Sequence, residues 1–486
     1  MAQYVIKGYK PENLFNYFED IAAIPHGSGN ESGVAEYICN FAKEHGLFYK
    51  KDETGNVFMI REASSGRENE NAILLQGHMD MVCEKNSDTV HDFEHDGLKL
   101  RVEDGFLSAD GTTLGGDDGI AVAMMLALAI DESISCPKLE FLFTVSEETG
   151  MDGANGFDYS CITADTLINL DYEGEGAACT SCAGGEDSTL TFECDTIPFQ
   201  NKAISIKVFG LAGGHSGADI DKNRLSANRV MGLVLELLYD KMPFNLISVN
   251  GGSKRNAIAR ECEAVISVFD AEAAKEEIKK IGATVSRDMI SSADRGFRIH
   301  VNKAQATDTM MTFAQSASVI DGMFVSPHGI VAMSSEKEGM VEASTNLGVI
   351  TTEGNVVTMH FMSRSSVESQ LDRIKLNIDR VAVRLGAKAE HSGRYPGWKF
   401  KKCPLQQSYL DTFAELFGKE GHLDAIHAGL ECGIITSGIA KAQNKEIDAI
   451  AIGPNLYDIH SPDERMELAS CERTYKLVCA LVEKKY

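Results

Sequence analysis

The sequence has 486 residues, of which 43% are hydrophobic and 24% charged, so we expect a globular protein with more than one domain. Its formal net charge is −26, from 72 acidic and 46 basic residues, which argues against nucleic acid or an anionic membrane surface as a partner. No run approaches the roughly 20 apolar residues of a spanning helix, and the first residues do not resemble a secretion signal, so we predict a cytoplasmic protein.

The first part of the chain alternates predicted helices with predicted buried strands. Helices are expected over residues 11–24 and 31–45, and an apolar strand over residues 72–75. This strand leads into His78 and Asp80. Their spacing suits an imidazole that binds a metal ion while a nearby carboxylate fixes its orientation.

An acidic segment follows, and it contains His91-Asp92-Phe93-Glu94-His95. Histidines and carboxylates at this spacing superficially resemble a ligand cluster. The segment does not follow a strand, however, and it is dense in acidic residues. We interpret it as a solvated loop without chemistry, next to hairpin strands near residues 98–100.

A glycine-rich turn, residues 114–119, carries two adjacent aspartates, Asp117 and Asp118, and runs into an apolar helix over 120–130. Acidic residues are favourable at a helix N-terminus because the helix dipole stabilises negative charge there. One aspartate would suffice as a cap. Two aspartates flanked by glycines indicate a buried carboxylate that is held ionised, as a metal ligand is.

The stretch from Phe141 to Gly150 is the clearest candidate for the centre of an active site. Its first half is apolar, β-branched and aromatic, which predicts a strand buried on both faces. It ends in Glu147 and Glu148. In α/β sheets, ligands bind outside the carboxyl ends of the strands. Neighbouring residues of an extended chain point in opposite directions, so one glutamate could bind a metal ion and the other could face the substrate.

Two further buried strands end in groups of the same kind. A strand over residues 167–170 is followed by Asp171, and a strand over 447–452 is followed by His460. If the histidines and carboxylates converge, they form two metal sites that share Asp117, each with one histidine and one further carboxylate. Nitrogen and oxygen ligands of this kind suit zinc, with cobalt or manganese as substitutes. The predicted ligands are His78, Asp117, Glu148, Asp171 and His460.

The middle of the chain has a different hydrophobic pattern from its two ends. Alternating strands with one solvated face and helices over 223–239, 307–321 and 366–385 predict an inserted α+β domain with an internal repeat. We therefore predict an α/β fold in which a central mixed sheet is flanked by helices. Its catalytic domain comprises residues 1–186 and 391–486, and the insertion comprises residues 187–390.

Seven short motifs, in order along nearly the whole chain, resemble those of a known family. The chain resembles the M20 metallopeptidases, in particular the aminoacyl-histidine dipeptidases, also called Xaa-His or cytosol non-specific dipeptidases. The motifs are Gly77-His78-Met79-Asp80-Met81-Val82, Leu114-Gly115-Gly116-Asp117-Asp118-Gly119, Ser146-Glu147-Glu148-Thr149-Gly150, Asn169-Leu170-Asp171, Gly213-Gly214-His215-Ser216-Gly217, His427-Ala428-Gly429-Leu430-Glu431-Cys432-Gly433 and His460-Ser461-Pro462.

The resemblance implies a role for each matching metal-site residue. His78, Asp117 and Asp171 would hold one zinc ion, and Asp117, Glu148 and His460 the other. Asp80 would orient His78, and Glu147 would be the general base. This chain has Gly-Gly-Asp-Asp where the subgroup is expected to have Gly-Ala-Asp-Asn, so the shared Asp117 is kept and the role of Asp118 is left open.

The resemblance also implies that the inserted domain is a lid. From it, His215 would stabilise the oxyanion, while Asn256 and Arg364 would contact the substrate's C-terminal carboxylate. An arginine suits a carboxylate because its planar fork binds bidentately. Glu431 is a further candidate for the substrate pocket.

The predicted function is that of a dipeptidase with two zinc ions per chain, broad specificity and activity that extends to Xaa-His and β-alanyl-histidine. Its partner would be a small peptide, with a homodimer as a compatible assembly. Two alternatives are open. One is another M20 reaction, such as tripeptide cleavage, carboxypeptidase action or N-acyl amino acid deacylation. The other is a non-catalytic binding protein on the same fold, which the presence of Glu147 disfavours because binding alone needs no general base.

Overall fold

A computed structural model describes residues 4–289 and 291–485. Within these residues the chain forms two compact units. The first unit comprises Met1–Ser181, Trp398–Ala425 and Leu430–Tyr486, and the second comprises Cys182–Gly397 and Ile426–Gly429. The predicted domain boundaries at residues 186 and 390 lie close to these borders. The assignment of the insertion as a lid stays a prediction.

The strands alternate with helices at both ends of the chain and dominate its middle. The strands are β1 Phe48–Lys51, β2 Val57–Arg61, β3 Ile73–His78, β4 Leu100–Glu103, β5 Phe106–Ala109, β6 Leu139–Thr144, β7 Thr166–Asn169, β8 Ala177–Cys182, β9 Gly184–Glu193, β10 Thr196–Pro198, β11 Lys202–Phe209, β12 Gly214–His215, β13 Phe244–Gly251, β14 Ala257–Ile258, β15 Cys262–Val268, β16 Arg298–Lys303, β17 Thr309–Met311, β18 Gly329–Met333, β19 Val341–Glu353, β20 Val356–Ser365, β21 Lys388–Tyr395, β22 His422–Ile426, β23 Asp448–Ala451, β24 Leu456–Tyr457 and β25 Arg465–Glu467.

The helices differ in how much of their surface they bury. They are α1 Glu12–Ala22, α2 Ser32–Glu44, α3 Gly116–Ala129, α4 Glu147–Gly150, α5 Asp152–Gly156, α6 Ala227–Tyr239, α7 Ala271–Asp288, α8 Phe313–Val325, α9 Glu368–Leu385, α10 Pro404–Phe417, α11 Glu431–Gln443 and α12 Leu468–Glu483. Every residue of α3 is buried, which explains why its sequence is apolar all round. None of the helices in the described residues has the length and hydropathy that a membrane crossing requires.

The first unit is built on a mixed sheet. Among the described residues, eight strands form it in the order β1-β2-β6-β3-β7-β23-β8-β22. The central strands β6, β3, β7 and β23 are parallel to one another, whereas β2 and β1 continue the sheet antiparallel. The carboxyl ends of the four parallel strands therefore meet at one edge, and this is the edge at which α/β sheets bind ligands.

The main hydrophobic core cluster of the first unit lies against one face of this sheet, because its members on β3 and β6 are the alternate residues Ile73, Leu75, Leu139, Phe141 and Phe143. The strands β3 and β6 are buried at every residue, as expected for parallel strands with helices on both faces. Apolar side chains of α1, α2, α3 and α12 contribute to the same core cluster. The central strands β3 and β6 are thus shielded from solvent on both faces.

The second unit is built on a largely antiparallel sheet. Within the described part of the chain, its strand path is β16-β11-β15-β13-β19-β20-β9-β21, and β18 pairs with β19. The helices α6, α7, α8 and α9 supply apolar side chains to its core cluster. The strand β16, which lies at one edge of the path, alternates between exposed and half-buried residues, as a strand with one solvated face does.

The predicted fold class is confirmed: the chain has an α/β unit with a central mixed sheet flanked by helices and an α+β unit made by the insertion. The internal repeat of the insertion stays a prediction. The helix predicted over 307–321 differs, because residues 309–311 form β17 and the helix begins at Phe313. The Thr312 side chain accepts a hydrogen bond from the Gln315 N–H and so caps the helix at this later position.

Candidate active site

The predicted metal ligands lie where the strands of the first unit end. His78 is the last residue of β3, and Glu148 lies in the short helix α4 that follows β6. Asp171 follows β7, and His460 lies in the segment after β23. Because these four strands are parallel neighbours, the turns that follow them lie side by side. Asp117 joins them from the first turn of α3.

The five predicted ligands form two groups that share Asp117. One oxygen of Asp117 lies 3.1 Å from Nε2 of His78, and its other oxygen lies 3.2 Å from Nε2 of His460. His460 Nε2 also lies 2.8 Å from Oε1 of Glu148. On the other side, His78 Nε2 lies 3.9 Å from Oδ1 of Asp171. A carboxylate whose two oxygens face two different imidazoles has the arrangement of a bridging ligand.

The chemistry of these donors fits divalent metal ions. Imidazole nitrogens and carboxylate oxygens are the ligands that zinc takes when thiolates are not used. Burial raises the pKa of Asp171 well above its usual range, and the nearby charges of Asp118 and Asp117 add to the shift. Carboxyl groups crowded in this way resist ionisation without a compensating positive charge. Bound cations would supply that charge.

Asp80 connects His78 to the turn that carries the two glutamates. The Nδ1 atom of His78 lies 2.9 Å from the backbone oxygen and 3.4 Å from Oδ1 of Asp80. The Asp80 carboxylate also accepts hydrogen bonds from the Ser28 hydroxyl and from the backbone N–H groups of Glu147 and Glu148. Burial opposes ionisation, yet hydrogen bonds led by that of His78 lower the pKa of Asp80 to about 2. Asp80 is thus an ionised acceptor that fixes the His78 ring.

Glu147 has the properties of a proton acceptor that works near neutral pH. It begins α4, directly after Ser146, whose φ of 55° turns the chain sharply out of β6. Burial and the negative charges of Glu431 and Glu148 raise the pKa of Glu147 to about 8, against the opposing effect of His78. A general base is most effective when its pKa lies near the working pH.

Two acidic residues of the site were assigned no role from the sequence. Asp118 is buried, and its Oδ2 accepts a hydrogen bond from the backbone N–H of His78 at 3.1 Å. Glu464 is buried as well. Its carboxylate accepts hydrogen bonds from the backbone N–H groups of Leu114 at 2.7 Å, Gly115 at 3.2 Å, Gly116 at 2.9 Å and Asp117 at 3.4 Å. Glu464 therefore fixes the turn that presents Asp117.

Glu431, predicted as a pocket residue, is completely buried in the first unit. Its Oε2 accepts hydrogen bonds from the Gln76 amide at 2.5 Å and the Thr144 hydroxyl at 2.6 Å. No described residue donates to its other oxygen, Oε1. Burial raises the pKa of Glu431 to about 7. Gln76 and Thr144 belong to β3 and β6, so Glu431 packs against the strands that carry the site.

The predicted lid residues belong to the second unit, where two of them lie together. His215 Nδ1 accepts hydrogen bonds from the backbone N–H groups of Gly217 and Ala218. Its Nε2 lies 3.4 Å from Nη2 of Arg364. Asn256 differs from these two residues because it is exposed, and its backbone oxygen accepts a hydrogen bond from the Ser216 N–H.

The arrangement in the first unit can therefore do three things. It can hold two cations through a shared carboxylate, orient one imidazole through Asp80, and accept a proton at Glu147. These are the parts of a hydrolytic centre in which metal ions activate water.

Comparison with known proteins gives a consistent result. The sequence model described as peptidase family M20/M25/M40 matches residues 74–484. The cytosol non-specific dipeptidase of Escherichia coli K12 is 35% identical over 478 residues, which are 97% of both chains. The crystal structure of an aminoacylhistidine dipeptidase from Vibrio alginolyticus superposes with a TM-score of 0.92 at 33% identity, covering 100% of this chain and 98% of that one.

A more distant structure shares the fold alone. The aminopeptidase PepT of Bacillus cereus superposes with a TM-score of 0.55 at 18% identity, and 98% of each chain is covered. The family match spans most of the chain, and the relative from Escherichia coli exceeds 30% identity over nearly its whole length. This protein belongs to peptidase family M20/M25/M40.

Proposed function

We propose that this protein is a metal-dependent dipeptidase that hydrolyses unsubstituted dipeptides with broad specificity, including aminoacyl-histidine and β-alanyl-histidine. The observation that carries the proposal is the similarity to a named dipeptidase over 97% of both chains. The match to an aminoacylhistidine dipeptidase structure over the full chain supports the histidine-containing substrates. The site of the first unit supplies the groups that such a reaction needs.

In this proposal, His78, Asp117, Glu148, Asp171 and His460 hold two divalent ions. When bound, such ions supply Lewis acidity and lower the pKa of water. The donor set favours zinc, with cobalt or manganese as substitutes. Asp80 keeps the His78 ring in a fixed orientation with its Nε2 lone pair directed at the centre.

Glu147 acts as the general base. It accepts a proton from the attacking water and delivers it to the nitrogen of the leaving amino acid. The amino acid then leaves as an amine and not as an unstable amide anion. Its raised pKa favours the first step, because a carboxylate of ordinary acidity would accept the proton less readily. A pKa near the working pH also allows the proton to be released in the second step. Burial of the carboxyl group is the main cause of that pKa.

His215 and Arg364 are proposed to bind the oxyanion and the substrate's carboxylate. The two backbone N–H groups that donate to His215 Nδ1 place the proton of the neutral ring on Nε2. Nε2 and the nearby Nη2 of Arg364 are then both donors, and at 3.4 Å apart they can donate to the same acceptor. A negatively charged oxygen would be a suitable acceptor. The roles of Asn256 as a carboxylate contact and of Glu431 as a pocket residue rest on the family resemblance.

A limit to dipeptides has a physical basis. If one set of groups binds the free amine and another the free carboxylate, a longer or acylated substrate loses one contact and leaves a polar partner unpaired. Other reactions of the family, namely tripeptide cleavage, carboxypeptidase action and deacylation of N-acyl amino acids, could use the same metal centre. Substrate comparison distinguishes them.

The test is turnover of Ala-Ala, β-Ala-His, Ala-Ala-Ala and N-acetyl-Ala by the zinc-loaded protein, with a chelated sample as control. We expect cleavage of the dipeptides alone and its loss after chelation. Cleavage of the tripeptide or the acetylated substrate would instead favour another reaction of the family. A metal-loaded protein that cleaves none of the four would favour the binding-protein alternative.

The same proposal includes a cytoplasmic location, which the name of the Escherichia coli relative suggests, and a homodimeric state.

A further inference from the structure

A cavity of about 840 Å³ opens in the first unit beside Glu148. Its lining comes from three separate segments of that unit: Gly27–Asn30, Met81–Cys83 and Phe93–His95. The predicted metal ligand Glu148 and its neighbour Thr149 complete the lining. The cavity therefore adjoins the centre described above, and no substrate-binding role has been given to any of its lining residues.

The wall nearest the centre is fixed by hydrogen bonds. The Ser28 hydroxyl donates to Asp80 at 2.7 Å, and the same carboxylate accepts the N–H of Glu148 at 3.3 Å. Gly27 and Met81 form a parallel bridge, and the N–H of Met81 donates to the His26 oxygen. The relation between this wall and Glu148 is thus set by the network that also orients His78.

Another wall is the acidic segment that the sequence suggested to be a loop without chemistry. Phe93 and Glu94 line the cavity from this side. Hydrogen bonds hold the segment in shape, since the Glu94 N–H donates to Asp92 and the Asn30 amide donates to the Glu94 oxygen. The ring of Phe93 packs edge-on against His91. The wall thus combines the ring of Phe93, the carboxylate of Glu94 and the imidazole of His95, whose Nδ1 lies 3.0 Å from Oδ2 of Asp92.

The lining favours one end of a peptide over the other. Apart from the predicted metal ligand Glu148, the acidic or basic residues of the lining are Glu94 and His95, and the lining contains no lysine or arginine among the described residues. A terminal carboxylate would be repelled there, whereas an ammonium group would be attracted. Apolar contact is available from Met81, Val82 and Phe93.

We propose that this cavity receives the amino-terminal residue of the dipeptide, takes apolar and basic side chains at that position, and rejects acidic ones. This inference rests on the proposed dipeptidase function. Phe93 supplies the apolar contact and Glu94 sets the charge preference, while Glu148 marks the end of the cavity at which the scissile carbonyl lies.

The test compares two substrate series with the metal-loaded protein at low ionic strength, where charge effects are least screened. In Leu-Gly, Lys-Gly and Glu-Gly the amino-terminal residue varies, and in Gly-Leu, Gly-Lys and Gly-Glu the carboxyl-terminal residue varies. Ratios of kcat/KM within one preparation are used because they do not depend on the fraction of folded enzyme. The variants are Glu94→Lys and Phe93→Ala. Asp88→Lys is the matched control, since Asp88 is exposed on a nearby stretch and lies outside the lining.

We expect the native protein to prefer Lys-Gly to Glu-Gly. Glu94→Lys should lower that preference by roughly tenfold, because it reverses a charge near the bound side chain. The ratio of Gly-Lys to Gly-Glu should stay within about twofold, as should both ratios in Asp88→Lys. Phe93→Ala should lower kcat/KM for Leu-Gly by roughly tenfold relative to Lys-Gly, because the apolar contact is lost.

Two results would overturn the inference while leaving the dipeptidase function intact. One is a shift of the Gly-Lys to Gly-Glu ratio in Glu94→Lys, which would place the other residue of the substrate in the cavity. The second is a set of ratios that neither variant changes. Failure of the native protein to cleave any of the six dipeptides would instead contradict the proposed function itself, and the inference with it.

Discussion

The backbone N–H of His78 donates a hydrogen bond to Oδ2 of Asp118 at 3.1 Å, and both residues are buried. This bond ties the end of β3 to the first turn of α3. Burial raises the pKa of Asp118 well above its usual range, and the carboxyl oxygen can accept this hydrogen bond in either protonation state. Asp118 therefore supports the backbone of a predicted ligand.

Asp118→Asn should be tolerated, because the asparagine oxygen can accept the same hydrogen bond. We expect kcat/KM within a few-fold of the native value and unchanged metal content. Asp118→Ala should lower the free energy of unfolding by about 1–3 kcal/mol, because the buried N–H of His78 loses its acceptor. Urea denaturation and metal analysis of both variants check this. Loss of metal from Asp118→Asn would show that the carboxylate itself is a ligand.

Glu147→Gln should lower kcat by about 10²–10⁴-fold, because the amide cannot accept the proton from water. The metal content should not change, since the predicted ligand set is intact. Steady-state kinetics and metal analysis on the same sample measure both. Asp152→Asn is a suitable control because Asp152 is an exposed acid in the neighbouring helix α5. A Glu147→Gln protein with native turnover would contradict the assignment of the general base.

Glu464→Gln should destabilise the turn that presents Asp117. The carboxylate accepts four backbone N–H groups, and a glutamine would direct its own donor at some of them. We expect the free energy of unfolding to fall by about 1–3 kcal/mol and the metal affinity to fall by roughly tenfold or more.

Urea denaturation and competition with a chelator would measure these two effects. Asp463→Asn is the matched control, because Asp463 is the exposed neighbour of Glu464. Equal metal affinities for Glu464→Gln and the native protein would show that the turn keeps its shape without the carboxylate.

The second unit should lose stability in mild acid because of His328. Burial, together with the charge of Arg229, lowers the pKa of His328 from 6.5 to about 3, and its Nδ1 accepts the N–H of Leu347. The unfolded chain therefore binds this proton at a higher pH than the folded chain does. The stabilisation is complete above about pH 6.5 and is lost as the pH falls towards 3, by up to about 1.4 kcal/mol per pH unit.

His328→Asn should flatten this dependence, because asparagine can accept the same hydrogen bond but does not titrate. Urea denaturation of both proteins between pH 4.5 and 7.5 gives the two slopes. His422→Asn serves as control, since His422 is exposed. Parallel curves for His328→Asn and the native protein would mean that His328 is not protonated on unfolding.

The parallel sheet and the groups at its edge could be predicted from the sequence because their signals are local. A buried strand such as β6 is a continuous apolar run, and its end is marked where Glu147 and Glu148 begin. The order of such runs along the chain then predicts which polar groups meet. The same reasoning reached β3 with His78 and β7 with Asp171.

Features that depend on distant contacts were not predicted. The role of Glu464 depends on a turn that lies about 350 residues earlier in the chain, and no local pattern links the two. The cavity beside Glu148 combines three segments, so the segment around Phe93 resembled a solvated loop when considered alone. The helix α7 was not predicted either, although the sequence contains a local signal for it. Asp270 caps this helix by accepting the N–H groups of Glu272 and Ala273.

The separation of the predicted ligands along the chain has a consequence for biosynthesis. His460 lies beside Asp117 although 343 positions separate them, and the strand β23 completes the parallel sheet only after the whole second unit has been made. Proteins emerge from the ribosome amino terminus first. A nascent chain therefore holds His78, Asp117, Glu148 and Asp171 long before His460 and Glu464 exist. If His460 is the metal ligand that we propose, peptide hydrolysis can begin only when translation is nearly finished, and a chain that lacks this segment should be inactive.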